Sequence, residues 1–193
     1  MTGIRTWHLR PGTAETDLTR PMSGDARVAA PDFVSTLAIE IDARPEDVWP
    51  WLMQMGYRRG GLYSYDWLDR LFGYLDRPSA NRILPEFQTL EVGDIIPVGR
   101  GQGFPVAAIE PPRSLVLGGG EKGFEWTWEF GLYRLEGHRT RLVSRNRART
   151  PTTAGWKLFL LVLKPAAFLM TRRMLLGIKQ RVEAMPKAAI LAD

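Results

Sequence analysis

Tyr63-Ser64-Tyr65-Asp66-Trp67 is the densest polar-aromatic cluster in the chain. Two phenols, a hydroxyl and a carboxyl side by side could orient a ligand or move a proton at the mouth of a pocket. Arg145 could join them, because a guanidinium fork binds a carboxylate or polarises a carbonyl. Tyr65, Asp66 and Arg145 are therefore the candidate catalytic residues. The chemistry they suit is acid–base work at a carbonyl, which needs proton transfer beside an oriented oxygen. Each also has a plainer role. Ser64 and Asp66 stand where a helix cap and a dipole-compensating acid belong. Arg141, Arg145 and Arg147 alternate with Leu142, Ser144 and Asn146, so the three arginines can face solvent while the others point inward. The solvent-facing reading is preferred for Arg145.

Other chemistries are removed by composition. Among 193 residues there is no cysteine, hence no thiolate nucleophile, disulfide framework or zinc ribbon. The two histidines, His8 and His138, lie in a polar N-terminal stretch and in a turn-like Glu136-Gly137-His138-Arg139. They cannot build a multi-histidine metal centre, and no metal or other cofactor is expected. Gly99-Arg100-Gly101-Gln102-Gly103 is followed by Phe104 and by no lysine-serine/threonine pair. It therefore matches neither the dinucleotide fingerprint nor the P-loop, and reads as a hairpin or a gating loop.

Aromatic residues suggest binding instead. In Glu125-Trp126-Thr127-Trp128-Glu129-Phe130 the three rings share one face of a strand and the glutamates the other. The rings could line a cavity or simply pack, and the glutamates read as a solvated face. The expected lining draws Trp51 from a first helix, then Tyr63, Tyr65 and Trp67 from the polar-aromatic cluster. Phe104, Trp126 and Trp128 come from strands, and Met170 and Met174 from a last helix.

These residues need elements to position them. Phe33–Ile41 reads as a strand, and Pro45-Glu46-Asp47 opens a helix that Pro50 should kink and Gly56 end. Tyr65–Phe72 reads as a short helix with Ser64 as N-cap and a buried stripe of Trp67, Leu68, Leu71 and Phe72. Short apolar pieces between residues 95 and 147 suggest an antiparallel meander, with Gly118-Gly119-Gly120 as a turn or bulge. Residues 155–185 read as helix, kinked or split at Pro165, with Met174, Leu175, Ile178, Val182 and Met185 as its apolar stripe. The first 32 residues, rich in proline and glycine, read as an extended arm pinned by Trp7. Residues 33–186 form the domain, and 187–193 are a tail.

Order and local sequence together resemble the START-like, or SRPBCC, superfamily, within its polyketide cyclase/dehydrase group. The resemblance is carried by Ile39–Leu52, Gly60–Leu68, Val92-Gly93-Asp94, Ile109–Leu117, Thr140-Arg141-Leu142 and Met174–Arg181. Together these span roughly residues 33–185. It implies an α+β helix-grip fold: a curved antiparallel sheet wrapped around a long C-terminal helix, with a hydrophobic cavity between them. It implies no reaction, since the superfamily includes lipid carriers, hormone receptors, cyclases and chaperone partners.

Charge is uneven. Residues 1–138 hold 14 Lys/Arg against 19 Asp/Glu, whereas residues 139–193 hold 12 against two, within a net charge of +5. The basic residues are spread along a strand and a helix and form no nucleic-acid motif, so a nucleic-acid partner is not expected. Trp156–Met170 is the most apolar stretch but is interrupted by Lys157, Lys164 and Pro165, and is too short to span a bilayer. With the basic helix after it, it could rest on an anionic membrane as an adaptor surface. Met1–His8 has no apolar run of the secretory kind. The expected protein is cytoplasmic, with peripheral membrane contact as a variant, and encloses a small hydrophobic, lipid-like or polyketide-like ligand without turning it over. A cyclase/dehydratase is the alternative.

Overall fold

A computed structural model describes residues 12–101, 103–121, 123–151 and 153–185. Trp7, His8 and the tail after residue 185 lie outside the described residues. A short helix α1 (Glu15–Thr19) and a 3-10 turn (Asp25–Val28) precede strand β1 (Phe33–Ile41). Helices α2 (Pro45–Met53) and α3 (Asp66–Leu71) follow. Five strands come next: β2 (Ile95–Pro97), β3 (Gly103–Glu110), β4 (Ser114–Glu121), β5 (Phe124–Leu135) and β6 (Arg139–Arg149). Helix α4 (Ala154–Glu183) closes the fold.

The strands form one antiparallel sheet in the order β1-β6-β5-β4-β3-β2. The connection through α2 and α3 carries the chain from one sheet edge to the other. A register shift between Val106 and Ala108 in β3 supplies a local bend. Beneath α4 the sheet presents Leu115, Leu117, Phe130, Leu132 and Leu142, all buried. The helix answers with Met174, Leu175, Ile178 and Val182, also buried. These lie at positions i, i+1, i+4 and i+8, one face of a 3.6-residue period. Burying each such side chain contributes about 1.5–3 kcal/mol. This α+β arrangement is the helix-grip fold of START-like proteins.

Several local expectations differ from what forms. Pro165 does not divide α4, which runs unbroken through it. Gly118, Gly119 and Gly120 belong to β4 and pair with Thr127, Trp126 and Glu125. A Cβ on Gly118 would stand 2.7 Å from the carbonyl oxygen of Trp126, so close strand approach, not a turn, is what Gly118 permits. The stretch expected as an extended arm contains two helical turns from residue 12 onward.

One contact locks the helix to the polar-aromatic cluster. Any side chain at Gly177 would collide with the backbone carbonyl of Tyr63. Tyr63 itself is held at φ 57°, a region a bulky residue rarely adopts. The chain around Tyr63 is thus pressed directly against α4.

Candidate functional site

Strand alternation sorts β5 and β6 into two unlike faces. On the helix-facing side, Trp126, Trp128, Phe130 and Leu132 lie opposite Ala148, Asn146, Ser144 and Leu142. Phe104 of β3 meets Trp126 and Trp128 edge-on, with ring centroids 5.2 Å and 5.6 Å away. Trp128 continues the series to Phe130 at 4.9 Å and donates its indole N–H to Ser144 Oγ at 2.8 Å. This bond fixes the ring and satisfies its one polar group.

A partly open cleft of about 400 Å³ lies between these rings and α4. Phe104, Trp126 and Trp128 form its sheet wall, while Ala167, Met170, Thr171 and Met174 form its helix wall. Leu62, Ser64, Asp69, Tyr74 and Val98 close a third side. Gly119 lies opposite Trp126 and leaves space beside that ring. An adjoining hollow of about 240 Å³ shares Trp126, Asn146, Ala167 and Thr171 with the cleft. There Trp156 stacks on Phe124 at 5.3 Å, and the Lys164 ammonium sits 5.2 Å from the Phe33 ring centre.

Five of the nine expected lining residues meet in this cleft: Phe104, Trp126, Trp128, Met170 and Met174. The other four do not. Trp51 and Tyr63 are buried in the core as an edge-to-face pair 5.9 Å apart, and the Tyr63 hydroxyl donates to the Trp51 carbonyl. Burial pushes the Tyr63 phenol far above its ordinary range, so it stays neutral. Tyr65 and Trp67 lie on the outer side of α3, and Trp67 is 68% exposed.

Helix α3 is turned over relative to its expected stripe. Leu71 and Phe72, like Trp67, face solvent, whereas Asp69 is 0% exposed. Asp66 sets this orientation by accepting from the Ser79 backbone N–H at 3.0 Å and its hydroxyl at 2.7 Å. Ser64 is not the cap of α3; Tyr65 holds that position, and the Ser64 hydroxyl donates to Asp69 Oδ2. Asp69 Oδ1, also buried, has no hydrogen-bond partner. Burial raises the Asp69 carboxyl above its ordinary range; the Ser64 bond pulls it back and the nearby Asp66 charge adds to the rise.

The candidate catalytic residues do not converge. Tyr65 is on the outside of α3, Asp66 is engaged by Ser79, and Arg145 is on the far side of the sheet. Arg145 lies neither in the cleft nor in solvent. It is 4% exposed beneath residues 12–32. Its guanidinium donates to Thr36 Oγ1, to the carbonyls of Asp17 and Arg20, and to Asp25 Oδ2 at 2.8 Å. Arg147 reaches the Val28 carbonyl, and Arg141 pairs with buried Asp17 at 2.5 Å.

Glu129, expected in solvent, is 2% exposed on the same far face. It accepts from the backbone N–H groups of Ser23 and Gly24 and from the Ser114 hydroxyl. Burial alone would raise the Asp17 carboxyl, but hydrogen bonds from Arg141 and the Ala14 N–H, with the charges of Arg141 and Arg20, hold it below its ordinary 3.8.

Sequence reasoning missed Asp69. Its spacing from Asp66 within one short helix carries no sign of which acid faces inward. Among the described residues, no group of three or more His, Cys, Asp or Glu could hold a metal ion. No described helix is long and apolar enough to cross a membrane.

No family model matches the chain, and no curated protein matches it. Solved structures similar to it include CalU16 from Micromonospora echinospora, at 19% identity over 83% of this chain and 88% of that one, TM-score 0.37. The Aha1 dimer from Colwellia psychrerythraea matches at 20% identity over 79% and 97%, TM-score 0.44. A norcoclaurine synthase point mutant from Thalictrum matches at 13% over 78% and 93%, TM-score 0.45. At these scores the likeness adds nothing to what strand order and the C-terminal helix already establish.

Proposed function

We propose that the protein binds a small hydrophobic molecule, lipid-like or polyketide-like in character, in the cleft between its sheet and α4, without turnover. The carrying observation is the cleft wall itself: Phe104, Trp126, Trp128, Met170 and Met174 face a space of about 400 Å³. That volume lies in the range of small-molecule sites, which are mostly apolar with a few placed polar groups. Ser64, Asp69, Asn146 and Thr171 are such groups here. Binding without reaction is favoured because Tyr65, Asp66 and Arg145 are kept apart by the sheet and by α3.

Extraction of purified protein with organic solvent, followed by mass spectrometry, tests the reading, together with titration by apolar probes watched through tryptophan emission. A bound small molecule, or saturable quenching that Trp128→Ala weakens, is expected. Finding neither a co-purifying molecule nor a saturable probe would defeat it.

A second reading concerns where the ligand is collected. Trp67, Leu71 and Phe72 are 68%, 72% and 60% exposed, and nearby Tyr74 belongs to the cleft wall. We infer that this apolar edge dips into a lipid surface while the cleft loads, which would make the protein a peripheral visitor to membranes from the cytoplasm. Flotation with anionic vesicles should recover the wild type and lose a Trp67→Ser/Phe72→Ser variant. Equal recovery of both would refute the role of this edge.

A further inference from the structure

Asp69 is the only charged side chain among the described residues that form the cleft wall. One of its oxygens takes the Ser64 hydroxyl and the other has no partner, although both belong to a fully buried residue. A buried acceptor left open in this way is costly, and native proteins seldom leave one without a donor to receive. The rest of the wall narrows what that donor is. Tyr74, Phe104, Trp126 and Trp128 present aromatic rings, whose negative faces attract cations and disfavour anions. No Lys or Arg among the described wall residues could neutralise an acidic ligand. Arg173 instead lies over the outer Tyr65 ring with its guanidinium carbon 5.8 Å from the ring centre.

We propose that the cleft takes an apolar molecule bearing a protonated amine, and that Asp69 receives the ammonium group among these rings. The inference rests on the proposed binding function of the cleft and names the class of ligand. The apolar body lies against Trp126, Trp128, Met170 and Met174, and the ammonium donates to the open carboxylate oxygen. Asn146 and Thr171 also line the cleft and offer it further hydrogen-bonding groups. A neutral hydroxyl could fill the same oxygen, but a charge-assisted bond is roughly twice as strong. A carboxylate of the same shape would be repelled.

Equilibrium dialysis with three probes sharing one aromatic body tests this: naphthylethylamine, naphthylethanol and naphthylpropionate, at neutral pH. The amine should bind about tenfold more tightly than the alcohol, and the carboxylate most weakly. Asp69→Asn should remove the preference for the amine while leaving alcohol binding within a factor of about three. Ser64→Ala, which leaves the carboxylate in place, should keep that preference. Equal affinities for the three probes in the wild type, or an amine preference that survives Asp69→Asn, would overturn the assignment to an ammonium ligand. The wild-type ranking alone decides the matter if Asp69→Asn does not fold. Failure of the alcohol and the amine alike would instead remove the apolar cleft as a binding site.

Discussion

The two faces of β5 and β6 handle polarity in opposite ways. The outer face buries Glu129, Arg145 and Asp17, and surrounds them with backbone donors and acceptors from residues 12–32. The inner face gathers tryptophans and methionines around a space, and leaves one carboxylate oxygen of Asp69 open. Buried charge that is almost fully engaged is a fastening. Each face keeps a buried polar atom without a hydrogen bond, Arg20 Nε outside and Asp69 Oδ1 inside, so it is the partly uncovered apolar surface that gives the inner face its capacity to bind. Richness in titratable groups is therefore a poor guide to function in this molecule, because Glu129, Arg141 and Arg145 hold the N-terminal segment to the sheet.

Arg145→Ala should break this contrast most severely. It removes one of the two guanidinium partners of Asp25, leaving Arg147 at 3.4 Å, and strands the carbonyls of Asp17 and Arg20; each buried acceptor left without a donor costs about 1–3 kcal/mol. Urea unfolding should show that loss, while probe affinity at the cleft in the folded fraction stays within about threefold. Wild-type stability in this variant would mean that the outer network holds nothing.

Gly177→Ala comes next. It drives α4 away from the Tyr63 carbonyl, and overpacking of this kind costs about 1–3 kcal/mol. Thermal unfolding should show a drop of roughly 2–4 °C for each kcal/mol. Because α4 carries one cleft wall, probe affinity should fall as well, unlike in the Arg145 variant.

Acid should loosen the outer face through Asp17. The Asp17 carboxyl is depressed when folded, so its contribution is present above the ordinary value of 3.8 and fades as pH falls below that through the lower folded value. Protection of the amides around Ala14–Asp17 in hydrogen exchange should weaken over that interval. In Asp17→Asn the acid-dependent part of the change should disappear. An unchanged profile in that variant would detach Asp17 from the effect.

The smallest effect on stability, and the clearest on binding, is expected from Trp126→Leu. Trp126 is only half-buried, so a loss within about 1.5 kcal/mol is expected for an apolar replacement. Affinity for an apolar probe should nevertheless drop at least about tenfold, since a large aromatic surface leaves the wall. A stable variant with undiminished binding would place the ligand elsewhere.

Much of this was legible in the residues. Alternation along Trp126-Thr127-Trp128 announced an aromatic face, and the stripe through Met174, Leu175, Ile178 and Val182 announced the helix that covers it. Alternation also separated Arg145 from Leu142 and Ser144. It could not say what lies over the arginine, because its partners are largely the backbone carbonyls of Asp17, Leu18 and Arg20, which leave no trace in side-chain pattern. Helix α3 misled for a related reason. Its six residues include Trp67, Leu68 and Leu71, a plausible buried stripe, yet Asp66 anchoring to Ser79 turns Asp69 inward and Trp67 out. So short a helix gains little from its own apolar face, and a distant hydrogen-bonding partner decides its rotation.

The central claim is that a ligand enters the inner face and leaves the outer one untouched. Nuclear magnetic resonance titration of the whole protein with naphthylethanol tests it directly. Saturable shifts are expected for the indole N–H signals of Trp126 and Trp128 and the methyl signals of Met170 and Met174, with the Arg145 Nε–H signal unmoved. Shifts centred on Arg145, Arg147 and Gly24, or no saturable shift at the tryptophans and methionines, would contradict it.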